Sequence, residues 1–102
     1  MDIKIIRKKV KKGEYDLSDH AHKERQVEQI TTEEIEKTFL KGAIIEKYPK
    51  DPRGPSWLVA STKLHVICGF RAKQLLIVTV YRPKLPTWIN WKTRSEEVKS
   101  RV

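Results

Sequence analysis

With a single cysteine, Cys68, the chain has no partner for an internal disulfide and no paired thiols for a structural zinc site. A lone thiol inside the apolar run 64–70 reads as a small buried hydrophobe, which suits a reducing compartment. Glycine is scarce as well, four residues in 102, and none sits in a glycine-rich phosphate loop. No Ser-His-Asp or Cys-His pattern announces a nucleophilic hydrolase. No apolar run approaches the length of a membrane span, and the charges from Met1 to Lys12 come too early for a secretory signal. Internal repeats and low-complexity linkers are missing. A cytoplasmic protein without membrane contact is expected.

Apolar residues are few, 38 % of the chain, but they gather between Ala43 and Tyr81. A chain of 102 residues has room for one such core, so 1–102 reads as a single domain. What abounds is positive charge. Lysine and arginine number 22 against 13 acids, a net charge of +9 and a pI near 9.8. Charge of that size favours polyanions through steering and counterion release. It is also patterned. Lys4, Arg7, Lys8, Lys9, Lys11 and Lys12 face one acid, Asp2, within the first 13 positions, more than half of the net +9.

Ile3, Ile6 and Val10 recur at helical spacing and Gly13 can end that helix, although Ile3 and Ile5 also fit a short strand. Ser18 before Asp19-His20-Ala21 starts a second helix, expected to reach about Gln29. Thr31 and Glu34 form a capping box flanked by Ile30 and Ile35, which opens a third helix with Ile35 and Phe39 on its inner face. Gly42 is expected to close it in the left-handed conformation. Ala43–Tyr48, Ser56–Ser61, Leu64–Phe70 and Leu75–Tyr81 then read as strands. Their short connections leave no room for crossover helices, so an antiparallel meander is expected. The fold class is α+β, with two or three N-terminal helices on a roughly four-stranded antiparallel sheet whose other face stays open. The polar end from Lys92 is expected to fray, with 95–102 as its tail.

The candidates for chemistry are histidines, a tyrosine and basic residues. His20 and His22 lie about 200° apart on a helix and cannot share a metal, while His20 and Glu24 face together without making a metal site. Neither a metal nor any other cofactor is expected. His65 alternates with Leu64 and Val66, which puts it on the face opposite Leu64, Val66, Cys68 and Phe70. Whether Tyr81 and Arg82 join it depends on strand register. Arg53 stands in the rigid loop Pro52-Arg53-Gly54-Pro55. Metal-free RNA cleavage needs groups that move protons and donors that stabilise a crowded phosphorane. His20, Arg25, Arg53, His65, Tyr81, Arg82 and Arg94 are the right types, and Trp57, Trp88 and Trp91 can stack bases.

Asp19-His20-Ala21, Glu24-Arg25, Ile30-Thr31, Ile45 to Pro49, Asp51 to Ser56, Leu64 to Gly69 and Thr79 to Pro83 form an ordered series of motifs. In these the chain resembles a widespread family of small prokaryotic proteins of unknown function, grouped with RelE-like and BrnT-like toxins. The resemblance implies a RelE-like, toxin-type fold. It also implies a protein whose gene neighbours a cognate antitoxin, including small proteins with a zinc-binding ribbon. In such toxins His, Tyr and basic residues on the sheet contact and cleave messenger RNA, often ribosome-bound. The positions carried over are His20, Arg25, Arg53, His65, Tyr81 and Arg94. Many relatives in the broader grouping have an arginine where Glu24 stands, whereas here Arg25 comes one place later.

Where the residues alone point to a compact basic domain that meets a polyanion, the resemblance implies the toxin of a toxin-antitoxin pair, a metal-independent endoribonuclease acting on mRNA. His65 or His20 would carry the proton, Arg53 and Arg25 would clamp phosphate, and Tyr81 would donate a proton or stack on a base. Lys8 and Lys12 of the first helix, with Arg82 and Arg94, would grip RNA. The alternative is a non-catalytic RNA- or protein-binding module of the same fold, and a third reading is a structural protein whose charge is incidental.

Overall fold

The computed structural model describes residues 3–52, 54–71 and 74–84, and the backbone alone of residues 88–90 and 93–94. Three helices, α1 (Ile3–Lys11), α2 (Asp19–Val27) and α3 (Thr32–Lys41), come early in the chain. A short strand β1 (Tyr15–Leu17) lies between the first two. Then follow β2 (Ala43–Tyr48), β3 (Ser56–Ala60), β4 (His65–Arg71) and β5 (Gln74–Tyr81). Strands β2 to β5 form the expected antiparallel meander. The sheet has five strands rather than four, in the order β1-β5-β4-β3-β2, because Tyr15–Leu17 adds alongside Leu75–Ile77 in parallel. The α+β class stands.

Local chemistry sets the helix limits. Ile6 and Val10 bury the inner face of α1, and the chain leaves it at Gly13 with a φ of 70°. Ser18 caps α2 by accepting from the Ala21 amide at 3.0 Å. This helix stops before Gln29, which takes a φ of 56° while the Ile30 amide reaches back to the Arg25 carbonyl at 2.8 Å. The capping box of Thr31 and Glu34 opens α3, with Ile30 and Ile35 both buried beside it.

Gly42 closes α3 differently from the expectation. Its φ of −86° and ψ of −166° are extended, not left-handed. A side chain is excluded there by crowding: a Cβ would lie 2.3 Å from the Ala60 carbonyl oxygen and 2.5 Å from that of Thr38. The glycine lets the end of α3 press against the end of β3.

The helices cover one sheet face. Val59, Val66, Cys68, Leu75, Ile77 and Val80 join Ile6, Ile35 and Phe39 in that core. Burial pushes the Cys68 thiol up to about 12, so it serves as a hydrophobe. One irregularity matters for function. Ile67 pairs with Thr79 but Cys68 pairs with Ile77, so Val78 is an extra residue in β5. Ser18 docks on this bulge, its amide donating to the Ile77 carbonyl and its hydroxyl to that of Val78, each at 2.9 Å. Without the extra residue Tyr81 would share the face of Leu75 and Ile77. With it, Val80 joins the helix-side core and Tyr81 turns to the other face.

The tail holds a correction. Thr93–Arg94, within the end expected to fray from Lys92, form a strand β7 antiparallel to β6 (Trp88–Asn90) in a second small sheet. The frayed segment 95–102 lies outside the described residues. None of the described helices is long and apolar enough to cross a membrane.

Candidate RNA interface and the histidine pair

Register answers where Tyr81 and Arg82 go. His65 lies directly opposite Tyr81 across β4 and β5. Its Nδ1 is 3.1 Å from the Tyr81 hydroxyl, and the two rings meet edge to face with centroids 5.2 Å apart. Both side chains occupy the face away from the helices, His65 as the alternation predicts and Tyr81 because of the bulge at Val78. That face is not open at its middle, however. His65 and its neighbours Leu58 and Ala60 are fully buried, while Tyr81 is half-buried. Of the pair, Tyr81 is the member that a solute can touch, and His65 stands behind it.

Arg82, one residue on, points to the helices. Its guanidinium donates to both carboxylate oxygens of Glu34, at 3.1 and 3.3 Å, and to the Gln29 carbonyl at 3.5 Å. Hydrogen bonding from Arg82 holds the Glu34 carboxyl below its ordinary range, and the Arg82 pKa is raised in return. The pair ties the start of α3 to the end of β5.

His20 is far more accessible, with 68 % of its side chain exposed on α2. Its Nε2 sits 3.2 Å from Glu24, whose carboxylate also accepts from the Val80 amide at 3.2 Å. His20 therefore lies on the helix side of the sheet and His65 on the other, so the fold does not bring the two histidines together. Arg25 turns inward and donates to the Ile30 carbonyl at 3.1 Å, bracing the turn between α2 and α3. Arg53, and the side chain of Arg94 on β7, lie outside the described residues. Trp57 is half-buried on the helix-side face against Phe70, with ring centroids 6.4 Å apart. Trp88 starts β6, and Trp91 lies outside the described residues.

The two cationic residue types divide their labour. Every arginine whose side chain is described donates to the protein itself. Arg7 caps α3 through the Phe39 and Gly42 carbonyls, both at 2.9 Å, and Arg71 bonds the Phe70 carbonyl at 2.9 Å. Arg25 and Arg82 complete the set. The lysines point outward. Lys8, Lys11 and Lys12 are exposed on α1, and Lys9 is the member of that helix paired with Glu14, at 3.3 Å. A second basic cluster was not anticipated. Lys37 and Lys41, one turn apart on α3, line a groove with Lys63 of the β3–β4 turn. The four-residue spacing of Lys37 and Lys41 was legible; the approach of Lys63 needs the tertiary fold. Among the described residues, no three His, Cys, Asp or Glu side chains are grouped to hold a metal ion.

Fold and charge together define a small basic α+β domain with a mixed five-stranded sheet and a lysine-dominated surface. Residues 17–82 match the model of a family described as "Domain of unknown function (DUF4258)", and the chain belongs to that family. No curated protein and no solved structure matches it.

Proposed function

We propose that this domain binds RNA, through contacts of its lysines with the phosphodiester backbone. The observation that carries this reading is the division between inward arginines and outward lysines on a chain of net charge +9. Lysine is a point charge without the planar fork that reads bases, so the expected binding is strong at low salt, weakly sequence-dependent and lost as salt rises. Retention of labelled single-stranded RNA by the purified protein at several salt concentrations tests it. Absence of retention at low salt would refute it.

A second reading is favoured by the contact of His65 with Tyr81. On it the protein is a metal-independent endoribonuclease acting on mRNA, free or ribosome-bound. It would be the cytoplasmic toxin of a RelE- or BrnT-like pair, restrained by a cognate antitoxin such as a zinc-ribbon protein. As the 2′-oxygen bonds to phosphorus and its proton passes to water, the P–O5′ bond would break. Tyr81 would give its proton to the leaving 5′-oxygen and regain one from solvent, and His65 would be its positioning residue. Expression of the chain alone then arrests growth, and Tyr81→Phe relieves the arrest while the variant remains folded. RNA left intact with and without ribosomes rules this reading out and leaves the binding module.

A further inference from the structure

The groove between α3 and the β3–β4 turn encloses about 580 Å³ and is rimmed by Lys37, Lys41 and Lys63, with the exposed hydroxyl of Thr62 beside them. Among the described residues none of these three lysines forms an ion pair. The one carboxylate in the lining, Glu34, is already held by Arg82 and by the capping box. Three unpaired cations around one concavity repel each other, and a bound anion relieves that repulsion.

The walls are fixed relative to one another. Thr38 is 3 % exposed at the base of the groove. Its hydroxyl donates to the Glu34 carbonyl at 2.9 Å and lies 3.4 Å from the Ser61 hydroxyl across the groove. The Ser61 amide closes the turn onto the Leu64 carbonyl at 2.9 Å, and the close approach at Gly42 locks helix to strand. The carbonyl end of α3 would ordinarily repel an anion. Here the Arg7 guanidinium caps it at Phe39 and Gly42, which offsets that negative end.

We infer that this groove is a phosphodiester-backbone site for single-stranded RNA, with Lys37, Lys41 and Lys63 each neutralising a phosphate. The inference rests on the RNA-binding reading and places it at a specific surface, distinct from the basic face of α1. Among the described residues no aromatic side chain lines the groove, and its cations suit contact to the backbone rather than stacking on bases.

The test compares two variants of the full chain that lose equal charge. One is Lys37→Gln with Lys41→Gln and Lys63→Gln; the other is Lys8→Gln with Lys11→Gln and Lys12→Gln. A fluorescent oligouridylate of about 20 nucleotides is titrated at several salt concentrations, and thermal melts check that each variant is folded. Each phosphate contact on a single strand contributes about 0.7 to the slope of log affinity against log salt. The groove variant should lower that slope by about 2 and weaken binding about tenfold or more at ~0.1 M salt, well beyond the α1 variant. Thr62→Glu, which removes no lysine, should weaken binding in the same direction. Equal losses in the two triple variants would show an effect of net charge alone and overturn the groove while sparing the RNA reading. Failure of the unmodified protein to hold the probe would overturn both.

Discussion

His65 has no exposed surface, and its Nδ1 lies 3.1 Å from the Tyr81 hydroxyl. Truncation to alanine removes a buried ring together with its hydrogen-bonding and edge-to-face contact with Tyr81. His65→Ala should therefore cost on the order of 3 kcal/mol in denaturant unfolding. Tyr81→Phe, which keeps the ring packing, should cost about 1 kcal/mol. A neutral His65→Ala would mean the imidazole contributes nothing to the fold. Tyr15 offers a second check. Burial, then its hydrogen bond to Glu36 and that carboxylate's charge, raise its pKa from 10.0 to about 12. Between those values the folded chain keeps a proton that the unfolded chain has lost, so stability is full below pH 10.0 and declines towards about 12. Melting temperatures over that window should fall more steeply for the unmodified protein than for Tyr15→Phe. Parallel curves would contradict the shift.

At the scale of elements, the joints between helix and sheet are the sensitive points. Thr31→Ala breaks the capping box and should cost about 1 kcal/mol. Gly42→Ala should cost more, about 3 kcal/mol, because its Cβ meets two backbone carbonyls at 2.3 and 2.5 Å and backbone cannot step aside cheaply. The Arg82–Glu34 pair should stabilise the fold above the ordinary glutamate pKa of 4.5 and lose that contribution as pH falls through the depressed value. Comparison of acid unfolding with Arg82→Gln checks it: the gap between the two proteins should close at low pH. These joints also show what was legible beforehand. Caps and the four long strands could be read because their signals are local. β1 could not: three residues carry too little alternation, and its partner Leu75–Ile77 is distant in sequence. The bulge at Val78 left no mark in composition either, yet it decides that Tyr81 meets His65 and Arg82 meets Glu34. His65's face was readable from alternation, whereas its burial was not, since burial depends on what packs over that face.

Across the whole molecule, charge was the plainest feature of the sequence and its distribution the least predictable. Arg25, expected to clamp phosphate, and Arg82, expected to grip RNA, serve the fold's own carbonyls and carboxylate. The lysines of α1 could be placed from sequence, whereas Lys63 joins Lys37 and Lys41 only once the meander has folded against α3. The central claim is that these outward lysines hold a nucleic-acid backbone. The direct measurement is the affinity of the unmodified protein for labelled single-stranded RNA as salt rises from about 50 to about 200 mM. A fall of about tenfold or more, with little dependence on base sequence, is the predicted result. Undetectable binding at the lowest salt, or an affinity indifferent to salt, would contradict it.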